Sequence, residues 1–138
     1  MTYEEKGIWV YLLVSAGVYI AYVAIVLGQA EGDPTSVAYQ PILFWSIIAS
    51  IVAAIVIRIV VEIVRPSDNY RSDERDKQIA RNGFVAGSWL IIAGALGGML
   101  LAMVEADFFW IANVIYLGFV ASAVFDSIVR LTAYRRGF

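Results

Sequence analysis

Residues 65–82 read RPSDNYRSDERDKQIARN and hold nine charged side chains, five basic and four acidic. On either side the chain turns apolar. Residues 42–64 and 84–104 each match the length of about 20 mostly apolar residues that a helix needs to cross roughly 30 Å of hydrocarbon. Working outward, residues 8–27 and 108–130 qualify as well. Pro41 suits the start of the second span and Pro66 lies just past its end, as helix boundaries favour. The turn-rich GQAEGDPTSVAYQP separates spans one and two, and only EAD separates spans three and four, which predicts a tight hairpin. The expected fold is therefore all-α: an integral membrane four-helix bundle, one domain over residues 1–138, with a polar loop at 65–83.

Composition leads the same way. Of 138 residues 61% are hydrophobic and the mean hydropathy is +0.76, well above soluble domains. There is no cysteine and no histidine. Their absence removes thiolate and imidazole metal sites, histidine-ligated haem and every histidine-dependent triad. No metal and no cofactor is expected, and only carboxylates, hydroxyls and phenols remain for catalysis, so a non-enzymatic role is expected. The net charge of −2 gives no sign of nucleic-acid binding. MTYEEKG lacks the basic start and small-residue cleavage site of a secretory signal, so the first apolar run is read as a retained span.

Orientation follows from Lys and Arg. Lys6 lies in the N-terminal tail, Arg65, Arg71, Arg75, Lys77 and Arg81 in the central loop, and Arg130, Arg135 and Arg136 at the C-terminus. The two other loops carry only acids, Glu31, Asp33, Glu105 and Asp107. The positive-inside rule then places both termini and the central loop in the cytoplasm of a bacterial cytoplasmic membrane. Trp9, Trp45, Trp110, Tyr39 and Tyr134 fall near span ends, where amphipathic rings sit. The halves also echo each other: Phe44, Trp45 and Ile63, Val64, Arg65 recur 65 residues later as Phe109, Trp110 and Ile128, Val129, Arg130. A duplicated helical hairpin and coincidence in an apolar alphabet are both open.

Four features bear on function. Gly83, Gly87, Gly94 and Gly98 step by four, seven and four residues and share one helix face, allowing close approach of another helix, either within the bundle or across a homo-oligomer. Arg58 and Glu62 sit one turn apart in the second span, and Asp126 lies near the inner end of the fourth. Charges in a span are costly and face protein or water, so Arg58 calls for a partner, with Glu62 and Asp126 as candidates. They are candidates for an ion or ligand pathway, together with Tyr11, Tyr19 and Tyr22 in span one, or else for an interhelical ion pair. Ser15, Ser46, Ser50, Asn113 and Tyr116 could join a pocket or simply bond across helices. In the loop, SDERDKQIARNG predicts a helix start with Ser72 or Asp73 as cap and Asp73 paired with Lys77. Asp73, Glu74, Arg75, Asp76 and Lys77 are the candidate partner-docking residues.

The RPSD and DERDKQIARNG segments, the EADxFW opening of the last span and the ending AYRRGF resemble a group of small four-span membrane proteins of actinobacteria whose function is unknown. The D-E-R-D-x-x-I element is also similar to one in bacterial and archaeal four-span proteins. The resemblance implies the same fold and supplies no catalytic residue. The expected function is that of a regulatory or accessory membrane protein presenting its charged loop to a partner. The alternative is a small oligomeric transporter or channel using Arg58, Glu62 and Asp126. Membrane lipid, a second copy and a membrane or cytoplasmic protein are the expected partners.

Overall fold

A computed structural model describes residues 1–137; Phe138, the last residue of the AYRRGF ending, lies outside the described residues. Four α-helices follow one another: α1 (Tyr3–Gln29), α2 (Tyr39–Val64), α3 (Glu74–Met103) and α4 (Phe108–Arg136), with a short 3-10 turn at Pro34–Ser36 between the first two. All four are long and apolar enough to cross a membrane.

Each helix outruns its apolar stretch, and side-chain caps explain where α1, α3 and α4 begin. Thr2 Oγ1 accepts from the Glu5 amide at 3.2 Å while Glu5 Oε2 accepts from the Thr2 amide at 2.8 Å, a reciprocal capping box that satisfies two otherwise orphaned donors. Asp73 and Asp76 repeat the arrangement at 2.8 and 3.0 Å. Helix α3 therefore starts ten residues before the apolar run at 84, and only residues 65–73 connect α2 to α3 without helix. Between α3 and α4, Glu105 adopts a left-handed φ of 56°, which folds the chain back within residues 104–107.

The packing is uneven. Helices α3 and α4 lie together along their length, α1 packs on α2 and α4, and α2 contributes no buried residue. Gly83, Gly87, Gly94 and Gly98 of α3 are buried and face α4. A Cβ built on Gly94 would stand 2.8 Å from the Gly118 Cα, and one on Gly87 would stand 2.9 Å from the Ser122 carbonyl oxygen. The glycine stripe is thus filled from within the chain. Close backbone approach is what lets helices associate where lipid removes the hydrophobic drive between them. At the end opposite residues 65–73, Tyr22, Val26, Ala30, Val37 and Phe109 form a buried apolar cluster.

The sequence echo between halves is not matched by equivalent surroundings. Phe44–Trp45 and Phe109–Trp110 both form edge-to-face pairs, at 5.7 and 5.1 Å between ring centroids. Phe109 is buried, however, whereas Phe44 is 58% exposed. Arg65 ends α2, while its counterpart Arg130 lies inside α4 and holds a carboxylate.

Candidate functional site: a charged cleft at one end of the bundle

The start of α1, the end of α2, the start of α3 and the end of α4 meet at one end, and most of the charge gathers there. Lys6 is the tether. Its Nζ donates to the Arg65 carbonyl and, at 2.8 Å, to Ser67 Oγ, and lies 3.6 Å from Glu62 Oε2. Glu62 Oε1 in turn accepts from the Ser67 amide. The expected Arg58–Glu62 pair is therefore absent: Glu62 caps the turn that follows its own helix and takes Lys6 as its cation.

The Arg58–Asp126 pair does not form either. Asp126 Oδ1 accepts from Arg130 Nε at 2.8 Å, the acid preceding the base by one turn, which is the favoured order. Both side chains lie over Gly83, where a Cβ would overlap Asp126 Oδ1 and the Arg130 side chain. Arg58 instead reaches the first two turns of α1. Its guanidinium carbon sits 4.3 Å from the Tyr3 ring centroid, and a Cβ on Gly7 would overlap its Nη1 and Cζ. No described carboxylate lies within 4.0 Å of it. The aromatic face offers a cation favourable electrostatics worth about 0.5–2 kcal/mol, which is how Arg58 is accommodated without an acid.

These side chains wall a cleft of about 380 Å³ to which α1 gives Glu4, Gly7 and Tyr11, α2 gives Arg58, and α4 gives Asp126 and Arg130. Of the sequence-predicted pathway residues, Arg58, Asp126 and Tyr11 are brought together and Glu62, Tyr19 and Tyr22 are not. Tyr22 donates to Asn113 Oδ1 at 2.7 Å. It packs edge-on to Tyr116 at 5.1 Å, and Tyr19 packs edge-on to the same Tyr116 ring at 5.5 Å. Ser46 bonds Tyr116 at 3.1 Å. These hydroxyls tie helices together further along the bundle. Among the described residues no three carboxylates converge to hold a metal ion.

No protein-family model, curated protein or solved structure matches the chain. The residues themselves must carry the assignment.

Beside the cleft, residues 65–77 form a fixed surface. Asp76 Oδ1 accepts from the Tyr134 hydroxyl, Arg75 lies 6.0 Å from the Tyr134 ring centroid, and Tyr70 packs edge-on to Tyr3 at 5.4 Å. Lys77 pairs with Glu74 at 3.4 Å, not with Asp73 as the spacing suggested, because the Asp73 carboxylate is turned back onto the Asp76 amide. The Glu74 side chain is 90% exposed. Sequence reasoning missed Lys6, Gly7 and Gly118. The last was within reach, since Gly118, Ser122 and Asp126 step by four along α4 and mirror the α3 stripe.

Proposed function

We propose that this chain is a non-enzymatic accessory or regulatory protein of a bacterial cytoplasmic membrane, presenting residues 65–77 to a partner as a rigid charged surface. The observation that carries the reading is that the segment is pinned on both sides, by Lys6 from α1 and by Tyr134 from α4, while Arg71, Glu74 and Lys77 point to solvent unburied. A loop needed only for orientation has no use for such fixing, and acids contribute little to orientation. Capping and Tyr134 account for Asp73 and Asp76, but not for Asp68, and the exposed pairing with Lys77 is all that engages Glu74. The cytoplasmic placement rests on nine Lys and Arg at this end against none in the loops at the other.

Replacing Glu74 and Lys77 with Gln tests this. The melting temperature is expected to stay within a degree or two, because exposed pairs contribute about 0–1 kcal/mol, while crosslinking to a co-expressed partner is lost. Retained crosslinking overturns the reading. The cleft favours a second reading, a small transporter in which Arg58 and Asp126 meet the solute. Solute flux through proteoliposomes that Arg58→Gln abolishes would bring it forward.

A further inference from the structure

A second space borders the charged cleft. Tyr11 stands in its wall and also in the wall of an apolar trench of about 410 Å³, flanked by Ile47, Ser50 and Ile51 of α2 and by Phe119 and Val120 of α4. Helices α2 and α4 do not pack backbone to backbone there; α1 forms the floor, and the Ser46–Tyr116 bond closes the far end. From Arg58 to Ile47 is 11 residues, or about 16 Å along α2 at 1.5 Å per residue. That matches one leaflet, half of the roughly 30 Å hydrocarbon layer. The head of this space is charged and its tail is apolar.

The charges in the head are specific. Asp126 is taken by Arg130 Nε, and the terminal nitrogens of Arg130 make no hydrogen bond among the described residues. Arg58 has no acid, and Glu4 has no cation within 4.0 Å. What is left over is a guanidinium and a carboxylate, both in the lining of one cleft. We infer that the cleft and trench hold a single phospholipid whose headgroup joins a phosphate to a primary ammonium, as in phosphatidylethanolamine. The phosphate takes Arg58 and the free end of Arg130, the ammonium takes Glu4, and one acyl chain fills the trench. A guanidinium offers the forked donors that phosphate accepts in pairs, and a primary ammonium offers three donors to a carboxylate where a quaternary one offers none.

The inference does not depend on the partner surface. It is tested by titrating phosphatidylethanolamine, phosphatidylglycerol and phosphatidylcholine into the detergent-solubilised protein and reading the bound fraction by native mass spectrometry. Phosphatidylethanolamine is expected to bind about tenfold more tightly than phosphatidylcholine, the worth of one charge-assisted bond. Glu4→Gln should erase that preference while leaving phosphate binding in place, and Arg58→Gln should weaken all three lipids. Ser50→Phe blocks the trench from a helix with no buried residue, so it should fold and still lose the lipid. Equal binding of the three lipids by the unaltered protein, or an unchanged preference in Glu4→Gln, overturns the inference, as does full binding by Ser50→Phe.

Discussion

Gly7 and Gly83 each leave a bare patch of backbone for charged side chains: the Arg58 guanidinium lies on the first, the Asp126 carboxylate and the Arg130 side chain on the second. The consequence for energetics is that Asp126 and Arg130 form a unit that excludes Arg58. A double-mutant cycle on Asp126→Asn and Arg130→Gln should give a coupling of about 0.5–3 kcal/mol, while Asp126→Asn and Arg58→Gln should add to within about 0.5 kcal/mol. Coupling of Asp126 to Arg58 instead, seen in detergent melts, would place the ion pair differently. At the other end, Asp33 accepts from the Thr35 hydroxyl at 2.7 Å and from its amide at 3.0 Å, and these two bonds hold its carboxyl below the ordinary value. A carboxyl lowered by folding stabilises above its unfolded value and loses that contribution as pH falls through the folded one. Thr35→Val should move the Asp33 titration upward, as carboxyl carbon chemical shifts would report; an unmoved titration would mean the amide alone sets it. The sequence exposes Arg58 and Asp126 as unusual, because depth within an apolar run is visible in one dimension. Their partners are hidden, because pairing depends on which helix stands beside which.

At the scale of the helices, the α3 glycines differ in what they press against, although their spacing makes them look alike. Gly94 meets the backbone of Gly118, whereas a Cβ on Gly98 would meet the Ile115 side chain, its Cγ1 at 2.7 Å and its Cδ1 at 2.8 Å. Backbone cannot step aside, whereas a side chain can give way by turning about its own bonds. Gly94→Ala is therefore expected to destabilise by about 1–3 kcal/mol, the range for overpacking, and Gly98→Ala by clearly less, as measured by thermal or denaturant unfolding in micelles. Equal losses would mean that the α3–α4 contact is looser than 2.8 Å implies. The four- and seven-residue steps make the stripe readable in the sequence, and Ser72 with the acids after it marks the start of α3. The stripe's partner was not readable from α3 alone, since a run of small residues announces a close approach without naming what approaches.

For the molecule as a whole, the absence of native cysteine makes sidedness directly measurable. Cysteines at Ser36 and Glu74, both exposed, should react with an impermeant maleimide from opposite faces of the membrane, Glu74 from the cytoplasmic one; reaction of both from the same face would overturn the four-span topology, and reaction of Glu74 from outside would reverse the placement of the charged end. The four-span architecture is legible in the sequence because hydrocarbon thickness sets span length so tightly. The peripheral position of α2 is not, since its apolar residues suit lipid as well as they suit a neighbour. The α1–α4 contact also has a consequence in time. Roughly 80 residues lie between the end of α1 and the start of α4, and at 5–20 residues per second the ribosome takes roughly 4–16 s to make them. Throughout that delay the first hairpin stands in the bilayer without its seat, Tyr22 without Asn113, while the second closes locally as soon as it emerges. Biogenesis of this protein is thus a sequential assembly in which the earliest segment made is the last to be fitted, and the newborn first hairpin needs lipid or an insertase to keep its place.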